Sequence, residues 1–64
     1  MEKKLELIQQ LAKAIARNAL MVEHTVDVQL KAGQWNSWEE EAILRATTSI
    51  DDDLARIIKE LKQL

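Results

Sequence analysis

The sequence predicts an all-α fold: an antiparallel hairpin of two long helices that self-associates into a four-helix bundle or a larger helical oligomer. Three observations carry this. Apolar residues recur in alternating steps of three and four along most of the 64-residue chain. The one glycine, Gly33, stands near the middle, and proline is absent. The apolar arc of the first half is wider than a single neighbouring helix can cover.

Helix 1 is expected from about residue 2 to 31. Leu5, Ile8, Ala12, Ile15, Ala19, Val22 and Val26 make a seam of coiled-coil type. Gly33 follows where a left-handed C-terminal cap needs a residue without a Cβ, and Lys31 in the last turn suits the helix dipole. Residues 32–36 then form the turn. Ser37 reads as the N-cap of helix 2, with Glu40 completing a capping box and Glu39 and Glu41 favoured at the positive helix end.

Helix 2 is expected over about 37–64, with a seam of Ile43, Thr47, Ile50, Leu54, Ile57, Leu61 and Leu64. Thr47-Thr48-Ser49-Ile50-Asp51-Asp52-Asp53 joins weak helix formers to an acidic triplet, and Ser49 could cap a third helix there. The unbroken seam phase and the absence of Gly and Pro favour one continuous helix. The whole chain reads as a single domain.

Beyond its seam, helix 1 carries a second apolar row at Leu7, Ala14, Met21 and Val28, with Leu11 between row and seam. A core of this size rarely supplies more than about 3–5 kcal/mol without staples, so association is the expected remedy. Leu7, Leu11, Ala14, Asn18, Met21, Thr25 and Val28 are therefore the expected oligomer interface, with a twofold dimer the simplest closed form. Asn18, Thr25 and Thr47 read as polar contacts that set register. Glu23 is expected to pair with Arg45 at the rim, and the Asp51–Asp53 patch to face Lys13 and Arg17.

The composition, 47% apolar and 31% charged with net charge −2, gives no global attraction to nucleic acid or to an anionic membrane. Thiol chemistry is excluded by the lack of Cys. No apolar run approaches a membrane span and no secretory core follows the charged start, so the expected setting is the cytoplasm, with no membrane partner. Glu23 and His24 are adjacent rather than spaced to aim at one metal, and no nucleophile has a base at helical spacing. An enzyme, a metal site and a cofactor are accordingly not expected.

Two features invite a binding role. Trp35 and Trp38, the only aromatic residues apart from His24, cluster at the turn, where one is expected to close the bundle end and the other to meet a partner. Trp35, in the turn, is expected to be the freer of the two. Lys3, Gln10, Arg17, His24 and Lys31 recur once per heptad along the outer spine of helix 1; Lys3, Arg17, His24 and Lys31 form an alternative phosphate-binding face. The leading expectation is a non-enzymatic, self-assembling interaction protein: a regulator, inhibitor or viral-type antagonist that binds a protein partner at the Trp end. The alternatives are a nucleic-acid or nucleotide-phosphate binder, and an engineered bundle with no natural task. Abundant β-branched residues and the irregular TTSIDDD segment argue against the last.

Overall fold

A computed structural model describes residues 1–63, in which two helices, α1 (Glu2–Ala32) and α2 (Ser37–Lys62), pack as a hairpin. Leu64, the expected end of the second seam, lies outside the described residues. Gly33 stops α1 in the left-handed conformation, φ 68° and ψ 22°. Its N–H donates to the carbonyl of Leu30 at 3.3 Å and that of Gln29 at 3.0 Å, and the N–H of Gln34 reaches Gln29 at 3.3 Å. The 6→1 and 5→2 bonds of a Schellman cap are thus both present, satisfying carbonyls the helix leaves free.

The start of α2 corrects the expected cap. Asn36, not Ser37, is the N-cap: its backbone is extended (φ −126°, ψ 159°) and its Oδ1 accepts the N–H of Glu39 at 3.0 Å. Ser37 already lies inside the helix, so the Ser37–Glu40 box does not form. Both residues are competent caps, and the backbone conformation reached after Gln34 and Trp35 selects the earlier one.

Helix α2 runs unbroken through Thr47-Thr48-Ser49. The hydroxyls of Thr47 and Thr48 both donate to the carbonyl of Leu44 at 2.9 Å. Bonding back onto the preceding turn lets these residues stay within the helix instead of offering the backbone another conformation.

The seam is a heptad seam, turned about one position from the expected one. On α1 the half-buried rows are Lys4, Leu11, Asn18, Thr25 and Ile8, Ile15, Val22, Gln29. On α2 they are Glu39, Asp53, Glu60, with the buried Ala46 in the same row, and Ile43, Ile50, Ile57. The isoleucine and valine rows were expected; Leu5, Ala12, Ala19, Thr47, Leu54 and Leu61 are instead exposed. The width of the α1 arc explains the rotation. Its midline runs between the Ile8 and Leu11 rows, so aiming it at α2 covers Leu7, Leu11 and Ala14 together with Ile8 and Ile15. The apolar arc of α2 is one-sided and is left partly outside. At the open end, the ammonium of Lys4 donates to the carbonyl of Gln63 at 3.2 Å, tying the two ends of the hairpin.

Little of this packing is dry. Ala46, at 4% exposure, is the one fully buried hydrophobic residue among those described. The rod measures 48 × 14 × 12 Å, with a radius of gyration of 14.8 Å. About 11 Å would suit a compact chain of this length.

Candidate functional surfaces

Two antiparallel helices are related by a twofold axis normal to their common plane, and that operation keeps equivalent heptad flanks on the same side. The hairpin is therefore a slab with two broad faces, each built from both helices.

One face is apolar. It carries Leu5, Ala12, Ala16, Ala19, Val26 and Leu30 from α1, and Leu44, Thr47, Leu54, Ile58 and Leu61 from α2. Leu5, Leu54, Ile58 and Leu61 each leave about half their surface in water, at 50, 45, 53 and 51%. The charged side chains on this leucine face are Glu2, Glu23, Glu40 and Asp51, with no Lys or Arg. At the turn it runs into a shallow cleft of about 280 Å³ lined by Val26, Gln29, Leu30, Gly33, Gln34 and Trp35. The side-chain oxygen Oε1 of Gln29 is buried there without a hydrogen-bond partner.

The opposite face holds the expected oligomer-interface row and the expected phosphate-binding row together. Leu7, Leu11, Ala14, Asn18 and Thr25 are already half-covered within the hairpin, whereas Met21 and Val28 stay exposed. Thr25 turns its hydroxyl to the sulfur of Met21 at 3.5 Å, a contact within α1. Lys3, Arg17, His24 and Lys31 are all exposed. Sequence reasoning missed that the outer row of α2, with Arg45 and Lys59, and the flanking Arg56 belong to this same face. The signal was present in the heptad phase, but it becomes readable only once the seam of α2 is fixed.

Among the described residues the ion pair formed is Lys31 with Asp27, 3.1 Å apart on successive turns of α1. The expected Glu23–Arg45 pair and the contacts of the aspartate patch with Lys13 and Arg17 are not made; the Nε–H of Arg17 donates instead to the carbonyl of Lys13 at 3.4 Å. Exposed pairs of this kind contribute little to stability.

The relative exposure of the tryptophans is the reverse of the one expected. Trp35 packs along the cleft and is 53% exposed, while Trp38 is 78% exposed. Heptad phase is the cause: Trp38 falls on the row of α2 that holds Arg45 and Lys59, on the broad face and level with Lys31, outside the seam. Among the described residues no group of three or more His, Asp or Glu side chains is placed to hold a metal ion. No described helix is long and apolar enough to cross a membrane. Comparison with known proteins finds no matching family, no matching curated protein and no matching solved structure.

Proposed function

We propose that this chain is a non-enzymatic helical interaction protein whose hairpin pairs with a second copy to make a four-helix bundle and then acts by binding a protein partner. One observation carries the self-association. The hairpin exposes 5168 Å², whereas a compact monomer of its mass exposes about 4,200 Å². The excess of roughly 950 Å² per chain matches one side of a standard interface of about 800 Å² per partner.

The leucine face is the contact this reading favours. It offers long side chains from both helices, while the opposite face has already turned Leu7, Leu11 and Ala14 inward. Glu23 and Asp51 lie at its margins, where a twofold bundle leaves them in water. Pairing by this face keeps the Trp38 corner free as the partner site. Light scattering across a concentration series, read with helicity by circular dichroism, tests the proposal. The expected result is twice the 7.4 kDa chain mass, with helicity falling as dilution separates the copies. A fully helical 7.4 kDa species at every concentration refutes it.

A further inference from the structure

The charges of the hairpin are segregated by face to a degree that a net charge of −2 conceals. The face opposite the leucines carries Lys3, Arg17, Lys31, Arg45, Arg56 and Lys59, six of the nine cationic side chains, with Asp52 among them and the half-buried seam residues Lys4, Glu39, Asp53 and Glu60 along its floor. The leucine face carries four carboxylates and no cation. The remaining charges, Glu6, Lys13, Asp27, Glu41 and Lys62, lie along the two thin edges.

From this geometry we infer that the basic face is a binding surface for the phosphate backbone of nucleic acid. It is built from both helices, with Arg45, Arg56 and Lys59 of α2 as much a part of it as Arg17 and Lys31 of α1. Three observations select phosphate backbone among anionic partners. The cations form two rows along a 48 Å rod, in which Lys3, Arg17 and Lys31, like Arg45 and Lys59, stand two heptads or about 21 Å apart. That is a linear array suited to a linear polyanion. All six are exposed, and only Lys31 has an ion-pair partner among the described residues. Trp38, 78% exposed on the same face and level with Lys31, gives a flat indole at one end on which an unpaired base can stack.

The same placement argues against an anionic membrane as the ligand. An interfacial helix needs its apolar surface directly beside its cations. Here the large apolar surface lies on the opposite face among carboxylates, and the strip between the cation rows is mostly turned into the hairpin. The inference does not require self-association, because the two faces are on opposite sides of the slab.

The test is fluorescence anisotropy with a labelled 20-base-pair duplex and a 20-nucleotide single strand, each of arbitrary sequence, titrated with the unmodified protein at 50–200 mM salt. Six cations, offset by Asp52 and by the net −2 of Lys4, Glu39, Asp53 and Glu60 along the floor of the face, leave about three effective phosphate contacts and an expected slope of log affinity against log salt of about −2.7, or a loss of roughly 40-fold across that range. Arg45→Glu with Lys59→Glu should reduce the slope by about 2 and weaken binding at least tenfold, as should Arg17→Glu with Lys31→Glu. Lys13→Glu with Lys62→Glu makes the same change in net charge on the thin edges and should cost far less. Circular dichroism on each variant confirms that the hairpin is intact, and the Gln versions replace any that fail. Loss of binding that follows net charge regardless of face overturns the inference. So does loss confined to the α1 pair, and so does binding to phosphatidylserine vesicles or polyglutamate with none to either nucleic acid. A nucleic-acid-binding monomer would leave the inference standing while refuting the self-association reading.

Discussion

Replacing Leu54 with glutamate puts a carboxylate at the middle of the leucine face without touching the seam of the hairpin. Leu54 is 45% exposed in the single chain, so the lone hairpin loses only part of a leucine contact and keeps its helices. In a twofold dimer the same site occurs twice. Leaving a charged group buried without a partner costs about 2–3 kcal/mol or more. Two copies therefore remove roughly 4–6 kcal/mol from association, a loss of about 10³- to 10⁴-fold in affinity. The assay is sedimentation equilibrium of Leu54→Glu beside Met21→Glu. Met21 is 38% exposed on the opposite face, so its substitution adds the same charge outside the proposed contact. Leu54→Glu should sediment as single chains at concentrations where the unmodified protein and Met21→Glu are dimers. Dissociation by Met21→Glu with none by Leu54→Glu would refute the reasoning and return the interface to the Leu7–Val28 row. Salt sharpens the reading: the leucine face has acids and no bases, so twofold pairing should tighten as salt rises. Head-to-tail stacking of the leucine face on the basic face should loosen.

Three further outcomes follow from local geometry. Asn36→Ala removes the bond to the Glu39 N–H and should cost about 1 kcal/mol, lowering the melting temperature by roughly 7 °C for a chain of this length, while Ser37→Ala changes it little; the reverse order in thermal melts would restore Ser37 as the cap. Ser49→Ala, in the interior of α2, should be neutral or slightly stabilising, and a clear loss of stability would mean that the helix breaks there. Trp35→Ala opens the cleft against Val26 and Leu30 and should cost roughly 1–2 kcal/mol, whereas Trp38→Ala should stay within about 0.5 kcal/mol of the unmodified protein in denaturant titrations.

How far the residues alone carried the reading differs from feature to feature. The C-terminal cap at Gly33 was legible because it requires one residue without a Cβ at one place, and this chain has one glycine. The N-cap was legible only to within a residue, since Asn36 and Ser37 both carry the needed oxygen and the choice rests on the φ and ψ of Asn36. The continuity of α2 through TTSIDDD was legible from seam phase, although the two threonine bonds to Leu44 that accompany it were not foreseen. For the tryptophans, position in the turn suggested that Trp35 would be the freer. Heptad phase decided otherwise, by placing Trp38 on an outer row.

What the sequence by itself determined are the properties settled within one turn of chain: helical periodicity, the stop at Gly33, the restart before Glu39, and an apolar arc on each helix. These depend on backbone hydrogen bonds and side chains four or five residues apart, so the local order of residues is sufficient. What only the tertiary structure decided is the direction in which each arc points. A wide arc is compatible with several seams, and the choice is made by the other helix, which covers the midline of α1 and leaves Leu54 and Leu61 outside. The separation of acid from base is a second result of the same kind. Lys3, Arg17 and Lys31 come to share a face with Arg45, Arg56 and Lys59 because antiparallel packing keeps matching flanks on one side, a relation between residues up to 56 positions apart that no local window contains.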